Sequence, residues 1–94
     1  MTTKQRAYLR KLAQTITPIF QVGKNGVTDA LVEDLNNALE ARELIKISLL
    51  NTLPDSKENI AREIEEKTSS QIVQIVGNKL TLYKKSVNNP KIEL

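Results

Sequence analysis

Two glycines, Gly23 and Gly26, bracket Lys24 and Asn25 between a short apolar run, Ile19 to Val22, and a segment of helical period opened by Thr28. The chemistry this spacing suits is the holding of an anion. Glycine lets the backbone take positive φ and lets other atoms come close, because no Cβ stands in the way. A helix that starts just behind such a turn presents N–H groups with no intrahelical acceptor, and phosphate is the commonest anion to occupy them. The loop's own cation and amide fit the same ligand. A short glycine pattern can equally be a simple turn, so its meaning depends on the rest of the chain.

Other chemistries are poorly supplied. The 94 residues contain no cysteine and no histidine, which removes disulfides, thiolate nucleophiles, the usual transition-metal ligands and the commonest general base near neutral pH. Asp29 and Glu33 could in principle hold magnesium, but at a helix start they are better explained by the helix dipole. An enzyme is therefore not expected, and no cofactor is implied. Apolar residues at 39% and charged residues at 27% describe one folded domain.

Charge is segregated along the chain. Residues 1–28 carry five basic and no acidic residues, residues 29–78 five basic and ten acidic, and residues 79–94 four basic and one acidic. A fold that brings the two ends together would have a basic face suited to a polyanion and an acidic face elsewhere. No apolar run approaches the roughly 18 residues of a membrane span, and no signal-peptide core is present. The acid-free start has a transit-peptide flavour, but its apolar stripe leads straight into the glycine loop. It is read as part of the domain, with a cytoplasmic location expected.

The elements that must position the loop follow from periodicity. Thr2 or Thr3 caps a helix of about residues 4–15 with Leu9, Leu12, Ala13 and Ile16 inward and Lys4, Ala7, Arg10 and Lys11 outward. Pro18 ends it, and the strand Ile19 to Val22 follows. Thr28 caps a second helix with Leu31, Leu35, Ala38 and Leu39 as its stripe, ending near Arg42. A second strand from Glu43 to Leu50 places Ile45, Ile47 and Leu49 on one face and Leu44, Lys46 and Ser48 on the other. Asp55 with Glu58 has the form of a capping box for a third helix, residues 56–68, whose thin stripe of Ile60, Ala61 and Ile64 lies under Glu58, Glu63, Glu65 and Glu66. That helix should not touch a polyanion. Strands Gln71 to Val76 and Lys79 to Lys84, joined by Gly77-Asn78, form a hairpin of type II′. The expectation is a two-layer α/β sandwich of three helices on a mixed four-stranded sheet, in the order αβαβαββ, over residues 1–86, with residues 87–94 a tail. Strand order is not legible.

Leu9-Arg10-Lys11-Leu12-Ala13, Pro18 through Thr28, Ala38 through Lys46, Ile72 through Gly77 and Leu80-Thr81-Leu82-Tyr83 together resemble the CRM domain (chloroplast RNA splicing and ribosome maturation), most of all its stand-alone bacterial YhbY-like members. The resemblance implies a fold similar to the C-terminal domain of translation initiation factor three. It also implies RNA binding in the maturation of the large ribosomal subunit, with precursor ribosomal RNA as partner. Gly23, Lys24, Asn25 and Gly26 would be the RNA contact. Arg10, Lys11, Arg42, Lys46, Lys84 and Lys85 are candidates for a wider basic surface. At Lys84 many relatives carry arginine; lysine keeps the charge but not the bidentate phosphate geometry. The protein is expected to act as a monomer. The alternative is a protein-interaction module docking through the acidic third helix.

Overall fold

The computed structural model describes residues 1–94. Seven elements follow one another: α1 (Thr3–Ala13), β1 (Phe20–Val22), α2 (Asp29–Arg42), β2 (Leu44–Leu49), α3 (Lys57–Thr68), β3 (Gln71–Val76) and β4 (Lys79–Tyr83). The α/β class, the element order and the mixed four-stranded sheet are as the sequence implies. No helix is long and apolar enough to cross a membrane.

The strand order is β1-β2-β4-β3. β1 and β2 pair in parallel, while β4 is antiparallel to both β2 and β3. Crossovers through α2 and α3 therefore leave β1, β2 and β3 pointing one way, and β4 lies between β2 and β3. At the hairpin turn Gly77 has φ +58° while Asn78 does not enter the left-handed region, in keeping with type II′.

Alternation along the strands sorts two cores. Val22, Ile45, Ile47, Leu49, Leu80 and Leu82 meet Leu35 and Leu39 of α2 and Ile60, Ala61 and Ile64 of α3. On the other face Leu44, Val73 and Tyr83 meet Leu9 and Ala13 of α1. The sheet and the α2–α3 pair are the two main layers; α1 adds a partial third. The reason lies in β2 and β4, where Leu44 and Tyr83 give the back of the sheet just enough apolar surface to bury one short helix.

Several boundaries move for local reasons. α1 is closed at its start by a capping box between Thr2 and Gln5 and ends at Ala13, five residues before Pro18. Its terminal carbonyl, on Ala13, accepts a hydrogen bond from Nζ of Lys46 at 2.8 Å. The cap of α3 is Ser56, whose hydroxyl accepts from the Asn59 amide, and not the expected Asp55–Glu58 box. Asp55 instead accepts from the Ser56 amide and from Nδ2 of Asn59. Val73 is an extra residue in β3, between the pairs Ile72–Leu82 and Gln74–Thr81. Arg6 donates to both carbonyls beside this bulge, Ile72 at 2.6 Å and Val73 at 2.8 Å. Bulge and guanidinium together blunt that sheet edge.

Candidate nucleic-acid interface

The glycine loop closes as a turn in which the Gly26 amide donates to the Gly23 carbonyl at 2.9 Å. The two glycines answer different needs. Gly26 has φ +64°, a conformation that side chains rarely adopt, whereas a Cβ on Gly23 would come within 3.1 Å of the Thr52 hydroxyl and 3.2 Å of Leu50. Lys24 and Asn25 between them are exposed, and neither side chain is hydrogen-bonded within the chain. Behind the turn the Thr28 hydroxyl accepts from the Leu31 amide at 3.1 Å. The first-turn amides of Asp29 and Ala30 are left without an intrahelical acceptor. A shallow hollow of about 560 Å³ runs along the loop and the start of α2. Asp34 also lines it, so a phosphate there would sit at the Lys24 side.

The other candidate residues fall into two groups. Arg10 and Lys11 are exposed on α1, over the face of the sheet that carries Lys46 and Ser48. The Lys46 ammonium holds the C-terminus of α1, where a cation complements the helix dipole, so its first role is structural. Two residues along β2, Ser48 accepts from Nζ of Lys79 at 3.0 Å, and the glycine loop begins just beyond the pair Val22–Leu49. Lys79 belongs to this surface although its sequence position, the first residue of a strand, gave no sign of it. Arg42, Lys84 and Lys85 lie at the opposite end of β2, where the Lys84 amide donates to the Glu43 carbonyl. A strand of this length separates them from the loop by roughly 20 Å. The chain ends do meet, since Met1 and Gln5 line a hollow with Lys85, Pro90 and Ile92.

Charge divides by face. α1 carries Lys4, Arg6, Arg10 and Lys11 and no acid, whereas α2 and α3 together carry eight acidic and four basic residues. The one ion pair of the chain, Lys67 with Glu63, is on α3. No cation of the α1 face is neutralised by contact.

Around Arg42 the carboxylates are differently employed. Glu43, fully buried and with φ +66°, accepts from the amides of Ser86, Lys91 and Ile92. Burial pushes its pKa up, but those three donors and the nearby charge of Lys85 outweigh it, and the net direction is down. Glu40 accepts from the Ser86 hydroxyl and the amides of Val87 and Asn88. These bonds, the hydroxyl first, lower its pKa too. Ser86 and, with it, residues 87–92 of the expected tail 87–94 are thus fastened to the end of α2.

The sequence matches the CRS1 / YhbY (CRM) domain over residues 1–84. It is 47% identical to the Bacillus subtilis "Probable RNA-binding protein YqeI", over all of this chain (100%) and 98% of that protein. It is 34% identical to a Haemophilus influenzae "RNA-binding protein", covering 100% of this chain and 94% of that one. The solution structure of a hypothetical protein from Staphylococcus aureus superimposes with a TM-score of 0.83 at 41% identity, over 100% of this chain and 98% of the other.

Proposed function

Since the chain belongs to the CRS1 / YhbY (CRM) domain family, we propose that it is a non-enzymatic RNA-binding protein, a cytoplasmic and monomeric factor in maturation of the large ribosomal subunit that engages precursor ribosomal RNA. The observation that carries this reading is the acid-free α1, on which Lys4, Arg10 and Lys11 are exposed and without an ion-pair partner, together with the unbonded cation and amide of the Gly23–Gly26 turn. Phosphates would be held by Lys24, by the first-turn amides of α2 and by the α1 cations. The names borne by its relatives support the RNA partner; the ribosomal target rests on the family resemblance. Docking of a basic protein on the acidic α3 is a second reading, favoured by its four carboxylates, Glu58, Glu63, Glu65 and Glu66.

A salt titration separates the two. Log affinity for single-stranded ribosomal RNA segments should fall against log salt with a slope of about −0.7 per phosphate neutralised, or roughly −2 to −3.5 for three to five contacts. The double change Lys24→Asp with Asn25→Asp should weaken binding strongly and shift stability by no more than about 0.5 kcal/mol, because both side chains are exposed and unbonded. A flat salt response, or full affinity in the double variant, would remove the loop from the interface. Reversal of Glu63, Glu65 and Glu66 to lysine should leave RNA affinity intact and abolish any docking of a basic protein.

A further inference from the structure

We propose that Tyr8 is a stacking platform for one unpaired base of the bound RNA, flanked by Lys4 and Lys11, which hold the phosphates on either side; the inference rests on the RNA-binding reading above. The chain has three aromatic residues. Tyr83 is buried in the α1 core and Phe20 packs against the α2–α3 core, whereas Tyr8 is 45% exposed. It is the most exposed of the three rings and the one that belongs to neither core.

Its position on the helix is not arbitrary. Lys4 at i−4 and Lys11 at i+3 fall on the same side of α1 as Tyr8. Seven residues of helix span about 10 Å, a reach that suits the backbone on both sides of a single nucleotide. The platform is also rigid before anything binds. Leu9 and Ala13 are fully buried beneath it, Arg6 is tied to two carbonyls of β3, the Thr2–Gln5 box fixes the start and Lys46 fixes the end. A ring presented on a fixed helix loses little freedom on binding, which favours affinity.

Beside the ring lies a hollow of about 380 Å³ lined by Thr2, Lys4, Gln5, Tyr8, Glu93 and Leu94. Glu93 makes it unsuitable for a phosphate. A base, with its flat face and its N–H donors, fits a hollow that has a ring on one side and a carboxylate on another. Lys4 lines this hollow, whereas Lys11 lies outside it on the exposed surface of α1, so the backbone would pass the base on both sides. Stacking tolerates any base, so the site reads strandedness more than sequence.

The test uses the full chain with a short oligouridylate, which has no structure of its own, and a blunt RNA duplex of equal length. Tyr8→Ala should lower affinity for the single strand roughly 5- to 100-fold while leaving the salt slope unchanged, because no phosphate contact is lost. Duplex affinity should hardly change. Tyr8→Phe should keep single-strand affinity while abolishing the quenching of tyrosine fluorescence seen when the parent binds, since Tyr83 is then the only tyrosine and is buried. Equal affinity of Tyr8→Ala and the parent for the single strand, or an equal loss on single strand and duplex, overturns the proposal and leaves the RNA-binding reading standing. Failure of the parent to bind either RNA would overturn that reading, and this one with it.

Discussion

Two stretches of irregular backbone flank β2, and they are built in opposite ways. At its C-terminal end the Gly23–Gly26 turn has one internal hydrogen bond and leaves Lys24, Asn25 and two helix amides uncommitted. At its N-terminal end residues 86–92 also have no regular structure, yet Glu40 and Glu43 accept six hydrogen bonds from them. The first stretch leaves its polar groups unbonded and the second has spent them inside the chain. Irregularity alone therefore says nothing about function; what matters is whether the polar groups are already satisfied.

Removing the clamp should give the largest effect. Glu43→Ala leaves three amides without their acceptor, that of Ser86 buried and those of Lys91 and Ile92 partly so, which together amounts to about 3 kcal/mol. In a domain of this size that is a fall in Tm of roughly 10–20 °C, measurable by calorimetry. RNA affinity at a temperature where the variant is folded should stay near that of the parent. If the loss of stability came with loss of binding in the folded state, the two ends of β2 would not be independent.

Gly26→Val should act at the other end and less strongly. A β-branched residue is poorly tolerated at φ +64°, and its Cβ would stand 3.2 Å from Pro54. A cost of about 1–3 kcal/mol is expected. Here RNA affinity should fall together with Tm, which chemical denaturation and binding measured on one sample would show.

The smallest effect is the pH response of the clamp. Glu40 and Glu43 have pKa values lowered by folding. A carboxyl whose folded value is depressed contributes stability fully present above its unfolded value, about 4.3, and lost as pH falls through the folded one. The difference in Tm between the parent and Glu43→Gln should hence shrink as pH is taken from 5 towards 3. A constant difference over that range would show that the carboxylate charge is not what holds residues 86–92.

The comparison also explains what was legible in the sequence. The glycine turn is local: every residue that shapes it lies within a few positions, and Thr28 announces the helix behind it. Helix stripes such as Ile60, Ala61 and Ile64, and the alternation of Leu44 to Leu49, are local patterns too, and both cores follow from them. The clamp joins residues 43 to 49 positions apart, and Glu43 takes a left-handed conformation that glycine would have signalled and glutamate does not. Lys46 read as a surface cation because nothing nearby reveals the carbonyl it caps, 33 positions back. Lys84 and Lys85 were grouped with Lys24 by sign of charge, and only strand order shows that a sheet's length lies between them.

That strand order bears on how the molecule comes together. β4, the last strand along the chain, is hydrogen-bonded on both sides, to β2 and to β3. Until residues 79–83 are in place, β3 has no ladder to the rest of the sheet, and α1 lacks Tyr83 beneath it. β1, β2 and the helix α2 between them can gather early, but the two halves are joined in one late event that closes a loop of some thirty residues from β2 to β4. Partly assembled forms should accordingly be sparse, and a substitution in β4, such as one at Leu80 or Leu82, should slow folding more than it hastens unfolding.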